Sequence, residues 1–381
     1  MKITLAQEGA FFMPHARISL ILKLLEVYFS MKRRILFAMF AFLLIMAVSA
    51  SAFSGREKWQ LQLSSPITSG ISVSGNMLFF GSETGRIYAA DKNTGRVIWE
   101  YKAENTIYGT PAVVKDSVVF AAGDGELLCL SISDGSLIWR AGGIGGKDTH
   151  GKDVNDGLSD GAAYGGGMLF VSKADRKLHA LNASTGKTVW TYTGGDQGLR
   201  EAPVYSDGLV FLGEYDGIFS IINAKTGKRE NGGGAGGAVN TPAVSGGNVY
   251  FSAWNGAVNA VKIKGVEPLW EVNIHDAATT QPAISSGLVV VGTGRGAVVA
   301  LNASNGSLKW RYETEAGNVS ATPIIADGCV FAGGETGYMH VIDASTGKKV
   351  GQLGGGGGIY ADGLYSDGVL YFGSGAVYAY E

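Results

Sequence analysis

Short apolar runs separated by polar or Gly residues recur along the chain from about position 55 onward. "MLFFG" (77–81) and "LVVVG" (288–292) are typical, each five residues long and rich in aromatic or β-branched residues. Such runs predict buried β-strands. The turns between them place Gly after Asp or Asn, as at Asn255-Gly256, which favours tight hairpins. We therefore expect an all-β protein, with no long helix beyond position 55.

The tryptophans reveal a repeat of about 40 residues. Six of the seven are separated by 40, 40, 51, 80 and 40 residues, so one period with a doubled gap and an 11-residue insertion explains them. The segments 110–139 and 281–310 align without a gap, and each contains four short apolar runs. A period of about 40 with four strands predicts the blades of a β-propeller. The six are Trp59, Trp99, Trp139, Trp190, Trp270 and Trp310.

The end of the chain predicts how the propeller closes. The last repeat, "GLYSDGVLYFGSGAVYAYE" (363–381), stops before its Trp strand, whereas "EKWQLQL" (57–63) is a Trp strand with no repeat before it. Pairing of 57–63 with 376–381 would complete an eighth blade and cover the edges that an open array exposes. The eight units open near Ile71, Pro111, Ala162, Pro203, Pro242, Pro282, Pro323 and Leu364.

Residues that recur from unit to unit are expected to be scaffold. The Trp side chains should pack between neighbouring blades, Asp or Asn should bind backbone N–H groups in turns, and Gly should adopt left-handed conformations. The turn residues are Asp91, Asn182, Asn223, Asn302 and Asp343, followed by Gly95, Gly186, Gly227, Gly306 and Gly347.

The phrase "ALNASTGKTVW" (180–190), with variants in most other units, resembles the pyrroloquinoline quinone (PQQ)-type repeat, and the resemblance covers residues 57–381. It implies the propeller fold. This repeat occurs in quinone-dependent alcohol and sugar dehydrogenases, in lipoproteins that help assemble outer-membrane proteins, and in surface proteins without known activity, so fold alone does not give function. The dehydrogenases are expected to carry adjacent cysteines and an axial Glu, Asn and Asp for calcium. Neither feature can be placed here, so the chain resembles the non-catalytic members more.

The N-terminal region predicts export. The segment 31–52, "MKRRILFAMFAFLLIMAVSASA", has basic residues, an apolar run and a small-residue end, which is typical of a secretory signal cleaved before Phe53. We predict an export region over 1–52, with Met31 as the true start, and one propeller over 53–381. An uncleaved membrane anchor is the alternative. The expected location is secreted, periplasmic or at the cell surface.

Charge and cysteine content exclude some functions. Residues 1–52 hold 6 of the 31 Lys and Arg and 2 of the 33 Asp and Glu, so 53–381 carries 25 basic and 31 acidic residues and a net charge of −6. An acidic balance disfavours a nucleic-acid partner. Cys129 and Cys329 lie in apolar runs 200 residues apart and are expected to be buried thiols.

The 141–161 insertion is the largest break in the repeat. Its acidic and polar residues could ligate calcium, although the Gly falls one position away from that of a compact calcium loop. We favour a solvated loop that contacts a partner. The alternative metal ligands are Asp148, His150, Asp153, Asn155, Asp156 and Asp160.

Two glycine runs, 232–237 and 354–358, occupy connections in units whose Trp positions hold Asn231 and Gly351. No helix follows either run, so neither predicts a phosphate site. Both are expected to be flexible crossings on one face of the propeller.

Residues that precede each inner strand should surround the mouth of a central channel. They differ from unit to unit, which is expected of a ligand-binding ring and equally of drifted surface residues. Trp254, the one tryptophan outside the repeat register, is expected at the same end as a contact for a partner or as packing. The ring comprises Tyr108, Asp160, Arg200, Glu201, Asn240, Gln281, Ser320 and Tyr360.

Two functions compete. We favour a non-catalytic exported scaffold that binds a protein partner through the loops of one face, with no cofactor and no catalytic residues. The alternative is a PQQ-dependent oxidoreductase of the alcohol or aldose dehydrogenase type, with PQQ and Ca²⁺ on the axis. That cofactor would need Tyr108 and Tyr360 for stacking and Arg200 as a basic partner.

Overall fold

Strands follow one another through the whole described chain. The computed structural model describes residues 53–123, 125–142, 146–147, 153–154, 158–173, 175–199, 201–314 and 317–381. Every regular element within these ranges is a β-strand, and none of the described residues forms a helix long and apolar enough to cross a membrane. The all-β prediction is confirmed. The predicted export region, 1–52, lies outside the described residues.

The first half of the described chain contains fifteen strands. They are β1 (Glu57–Leu61), β2 (Ser72–Ser74), β3 (Met77–Gly81), β4 (Arg86–Asp91), β5 (Val97–Lys102), β6 (Ile107–Val114), β7 (Ser117–Ala122), β8 (Leu127–Ser131), β9 (Leu137–Ala141), β10 (Gly146–Lys147), β11 (Asp153–Val154), β12 (Leu158–Gly165), β13 (Met168–Lys173), β14 (Lys177–Asn182) and β15 (Thr188–Thr193).

From β16 to β31 the second half repeats the order of β2–β5, a short strand followed by three longer ones. Its strands are β16 (Val204–Ser206), β17 (Leu209–Gly213), β18 (Ile218–Asn223), β19 (Arg229–Gly234), β20 (Ala243–Ser245), β21 (Asn248–Ser252), β22 (Ala257–Lys262), β23 (Pro268–Asn273), β24 (Ala283–Ser285), β25 (Leu288–Gly292), β26 (Ala297–Asn302), β27 (Leu308–Glu313), β28 (Ile324–Ala326), β29 (Cys329–Gly333), β30 (Met339–Asp343), β31 (Lys349–Leu353), β32 (Leu364–Ser366), β33 (Val369–Gly373) and β34 (Val377–Tyr380).

Consecutive strands pair into antiparallel sheets of four. Within the described residues, β2–β5, β16–β19, β20–β23, β24–β27 and β28–β31 each form such a sheet in chain order. The second strands are almost fully buried, as in β25, because both faces of each sheet are covered by neighbouring sheets. This is why their sequences are continuous apolar runs rather than alternating ones.

The two ends of the described chain share one sheet. Its order is β1-β34-β33-β32, and β1 pairs antiparallel with β34 from Glu57 opposite Tyr380 to Leu61 opposite Val377. Backbone hydrogen bonds in both directions join Arg56 and Glu381, at 3.1 and 2.9 Å. The predicted pairing of the first strand with the last is therefore present.

One sheet departs from the four-strand rule. β6–β9 and β12–β15 are joined into an eight-stranded sheet by a parallel bridge between Thr110 and Gly161. Gly161 has φ +154°, and a Cβ there would lie 3.2 Å from the Thr110 carbonyl oxygen, so the close approach of the two strands requires glycine.

The core lies between neighbouring sheets. Val290 and Val298 of one sheet, for example, belong to the same buried cluster as Val330 and Ile342 of the next. Each interface buries apolar side chains that a single sheet would leave in water, which is the stabilising logic of a repeat structure.

Six tryptophans fasten one four-strand unit to the next, as predicted. The indole N–H of Trp270 donates to the Ala303 carbonyl oxygen at 3.0 Å, and the ring covers Gly306 in the same turn. The other five repeat tryptophans donate in the same way over 2.8–3.1 Å, namely Trp59 to Lys92, Trp99 to Ile132, Trp139 to Ala183, Trp190 to Ala224 and Trp310 to Ala344.

Two outer strands lack this contact. Asn231 in β19 and Gly351 in β31 occupy the position that Trp270 has in β23. Each lies opposite the third residue from the end of the preceding strand. A Cβ at Gly351 would have no heavy atom within 4 Å. We call the bond from a repeat indole N–H to the turn of the next unit the tryptophan clasp. The units that follow β19 and β31 are joined without it.

Turn residues behave as the repeat predicts. Asp343 accepts the backbone N–H groups of Ser345 and Thr346 at 3.1 and 2.8 Å, and Gly347 closes the turn with φ +71°. Hydrogen bonds from the Ser345 and Thr346 hydroxyls lower the pKa of Asp343 to about 2. Cys129 is a buried thiol, as predicted, whereas Cys329 is only half-buried, and neither of the two is in a disulfide.

Candidate functional site

Segments leading into the first strand of each sheet enclose a polar cavity of about 480 Å³. Because successive repeats contribute equivalent residues to one cavity, it lies on the axis that the sheets share. We call it the axial cavity. It is lined by residues from segments 68–71, 109–111, 161–162, 201–204, 279–281 and 360–364, together with Thr241, Ser320 and Thr322.

Side chains of the lining link one repeat to the next. Glu201 Oε2 accepts the backbone N–H and the hydroxyl of Thr241, both at 3.2 Å. Gln281 Nε2 donates to the Pro242 carbonyl oxygen at 3.0 Å. In each case the partners lie 39 or 40 residues apart, so these bonds hold neighbouring sheets together around the cavity.

The charge of the axial cavity bears on the PQQ alternative. Its described lining includes the carboxylates of Glu201 and Asp362 and no Lys or Arg. Burial raises the pKa of Asp362, although the N–H of Thr322, 2.7 Å from Oδ1, stabilises the ionised form. PQQ is itself anionic and would need basic partners for its carboxylates. The described lining does not fit this cofactor, and the predicted basic partner, Arg200, lies outside the described residues.

Only some residues of the predicted ring line the axial cavity. Glu201, Gln281, Ser320 and Tyr360 line the axial cavity, and Tyr360 is 64% exposed. Tyr108 lies in β6 and is exposed, but it does not line the cavity. Asp160 falls in β12, but its side chain is not among the described atoms. Arg200 lies outside the described residues.

Asn240 has a different position from the predicted one. It is 2% exposed and points away from solvent, because its side-chain amide donates to Ser252 Oγ at 2.8 Å and to the Ala278 carbonyl oxygen at 2.9 Å. Its Oδ1 accepts the indole N–H of Trp254 at 2.9 Å. Asn240 is thus a buried support for Trp254.

Trp254 lies in the turn between β21 and β22 and is 52% exposed. The Tyr215 ring, from the equivalent turn between β17 and β18, lies 6.3 Å away and is tilted by 54°. Sequence analysis missed Tyr215. The available signal was that "EYDG" (214–217) and "AWNG" (253–256) place an aromatic at the same position of adjacent repeats.

The insertion contributes little to the described site. β10 and β11 pair within it as a two-stranded sheet. Four of the alternative metal ligands, Asp148, His150, Asn155 and Asp156, lie outside the described residues, and the side chains of Asp153 and Asp160 are not described. Among described residues, no group of three or more His, Cys, Asp or Glu side chains could hold a metal ion.

Four-stranded antiparallel sheets, arranged by an internal repeat around an axial cavity, define a β-propeller. The family described as "Outer membrane protein assembly factor BamB", a PQQ-type repeat family, matches residues 44–155, 141–230 and 233–381. The chain belongs to this family, and the predicted resemblance is confirmed.

Individual relatives bear the same description. Outer membrane protein assembly factor BamB of Shewanella oneidensis is 23% identical over 292 residues, which cover 75% of this chain and 63% of that protein. The Moranella endobia protein of the same name is 22% identical over 316 residues, covering 79% of this chain and 71% of that protein. The chain thus spans less than two thirds of the Shewanella protein.

A solved structure supports the fold. The crystal structure of BamB from Moraxella catarrhalis matches with a TM-score of 0.72 and 18% identity, over 86% of this chain and 97% of that one. At this identity the match establishes a shared propeller fold and leaves residue roles to the geometry of this chain.

Proposed function

We propose that this chain is an exported, non-catalytic scaffold that takes part in outer-membrane protein assembly by binding a protein partner. The family supports this proposal, since its relatives are described as outer membrane protein assembly factors. The observation that carries it is Trp254, which is 52% exposed and packs beside the half-buried Tyr215 ring, since a large aromatic held in place at a surface is typical of a binding hot spot.

The proposed scaffold is an eight-bladed propeller over 53–381. Within the described residues, six four-stranded sheets and the two halves of the eight-stranded sheet supply eight four-strand units. The chain-end sheet would be the eighth blade, closed by β1. In this arrangement the turns between second and third strands form one face, which carries Trp254, Tyr215 and the rim residue Tyr360.

Export is the second part of the proposal. The signal-like segment 31–52 precedes the first described residue, Phe53, and the relatives' names place their activity at the outer membrane. In the native host, fractionation and N-terminal sequencing should recover the protein outside the cytoplasm, beginning near Phe53 or anchored through the uncleaved segment. Recovery from the cytosol with Met1 intact would contradict export.

A photo-cross-linking experiment tests the binding face. A photoreactive phenylalanine is placed at Trp254 and, as a matched control, at Leu308 of β27, which is 62% exposed on an outer strand. We expect cross-links from position 254 to a component of the outer-membrane assembly machinery, identified by mass spectrometry, and reduced amounts of outer-membrane proteins in the Trp254→Ala strain. Equal cross-linking from both positions, or normal outer-membrane protein levels in that strain, would refute the proposal.

A further inference from the structure

Adjacent repeats place a large aromatic residue at one equivalent turn position. The N–H of Tyr215 donates to the Gly198 carbonyl oxygen at 3.3 Å, and the N–H of Trp254 donates to the Ala238 carbonyl oxygen at 3.0 Å. Described turns of other repeats hold small or charged residues there, namely Glu83, Gly123, Gly294, Glu335 and Gly375. The pair therefore does not belong to the repeat scaffold.

A glycine crossing runs between the two aromatic turns. The segment 236–238 contacts both of them, since a Cβ at Gly217 would lie 3.0 Å from the Gly237 nitrogen and one at Gly237 would lie 2.9 Å from Asn255 Cγ. A Cβ at Gly236 would meet only the Asn255 amide nitrogen, at 3.3 Å. Backbone and small residues thus connect the two turns, beside rings that pack against each other with their centroids 6.3 Å apart. We call Tyr215, Asp216, 236–238 and Trp254 the aromatic trough.

The trough is rigid on its Trp side. Asn240 accepts the hydrogen bond of the Trp254 indole N–H. The Asn240 amide nitrogen in turn donates to Ser252 Oγ and to the Ala278 carbonyl oxygen, which fixes its orientation. A ring that is already ordered loses little conformational entropy when a ligand stacks on it. Its remaining exposed face is available for contact with a partner.

Two acidic residues and one arginine flank the Tyr side. Asp216 follows Tyr215 in its turn and is half-buried, and the exposed Asp196 lies in the crossing that accepts the Tyr215 N–H. The described turn residues 214–217, 235–240 and 253–256 contain no Lys or Arg. The basic side chain of Arg176 also approaches this flank, where it donates to the Asp196 carbonyl oxygen at 3.1 Å.

We propose that the aromatic trough receives an arginine side chain from the partner protein, an inference that rests on the proposed function. A planar guanidinium stacks on the face of a Trp ring and forms directed hydrogen bonds to carboxylates, so it matches the exposed Trp254 ring with Asp216 in the neighbouring turn. The net charge of −6 over 53–381 favours a basic partner at longer range.

The test uses the peptide acetyl-Gly-Arg-Gly-Arg-Gly-amide and a matched peptide in which neutral citrulline replaces both arginines. Indole N–H signals of the isotope-labelled 53–381 protein are followed by NMR, with the Trp254 signal assigned from a Trp254→Phe variant. We expect the arginine peptide to shift the Trp254 signal saturably, and the citrulline peptide to bind about tenfold more weakly.

Two carboxylate variants complete the design. Asp216→Asn should weaken the arginine peptide several-fold, whereas Glu335→Gln, at the equivalent region of another repeat, should leave its affinity unchanged. Equal affinity for the citrulline peptide, or no shift of the Trp254 signal by millimolar arginine peptide, overturns the inference. Cross-linking from position 254 would still stand in either case, so the outcome separates the arginine inference from the proposed scaffold function.

Discussion

The indole of Trp270 lies against the backbone of Gly306 in the next sheet. A Cβ added at Gly306 would lie 2.7 Å from Trp270 Cε3, closer than van der Waals contact allows. Gly306 also has φ +71°, which side-chain-bearing residues rarely adopt. The repeat glycine therefore serves both the turn and the ring that packs on it.

Gly306→Ala should destabilise the protein more than a turn glycine with open space. We expect a loss of about 2–4 kcal/mol, combining left-handed strain with displacement of the Trp270 ring. Gly287→Ala is the control, because Gly287 has φ +77° with no atom within 4 Å, and it should cost only about 1 kcal/mol. Urea unfolding measures both, and equal losses would contradict the packing role of Gly306.

The buried and exposed tryptophans should respond differently to truncation. Trp310 is 7% exposed and donates to the Ala344 carbonyl oxygen at 2.8 Å, so Trp310→Ala should lower the free energy of unfolding by about 3–5 kcal/mol. Trp254→Ala should change it by about 1 kcal/mol or less, because half of that side chain is already in water. Chemical denaturation of the two variants side by side decides this, and similar losses would argue that Trp254 is structural.

Removal of residues 53–63 should expose the edge of β34 and open the chain-end sheet. The segment contributes the β1 backbone ladder and the Trp59 ring, which packs 5.9 Å from Tyr371. We expect the Tm to fall by several degrees and the truncated protein to aggregate through the free edge. Adding the 53–63 peptide in trans should restore part of the Tm, whereas an unchanged Tm after truncation would show that β1 is dispensable.

Asp343 should make stability depend on pH in a defined window. Its folded pKa of about 2 lies below the ordinary value of 3.8, so its ionised form stabilises the fold above about pH 4, and this contribution is lost as the pH falls toward 2. Asp343→Asn keeps the acceptor oxygen, as Asn302 shows in another repeat, but has no charge to lose. The Tm difference between wild type and variant, measured from pH 7 to pH 2, should narrow below pH 4. A constant difference would assign the acid sensitivity to other groups.

Much of the scaffold could be predicted because its determinants are local. The Asp or Asn of each turn, the Gly that follows and the Trp of the outer strand lie within about ten residues of one another, and the structure places them as predicted. The pairing of β1 with β34 was predictable for a related reason. The last repeat shows three strands without a Trp strand, and residues 57–63 form a Trp strand without the other three.

The candidate site was less predictable because its contacts join different repeats. Tyr215 and Trp254 meet across two turns, and no local pattern records this. Asn240 was predicted to face the central channel, but its position before an inner strand does not reveal that neighbouring carbonyl groups draw its amide inward. The bridge between Thr110 and Gly161 likewise depends on two strands brought together by the fold.

The absence of a clasp at Asn231 and Gly351 implies that the propeller is not uniformly stiff. Hydrogen exchange reports local opening, and amides near contacts with few anchoring side chains exchange first. Fluctuations should therefore concentrate at the boundaries that follow β19 and β31, while boundaries held by indole rings remain closed. The aromatic trough spans the first of these boundaries, since Tyr215 and Trp254 belong to the sheets on either side of it. A partner bound there would contact both sheets and slow the local opening of the boundary between them.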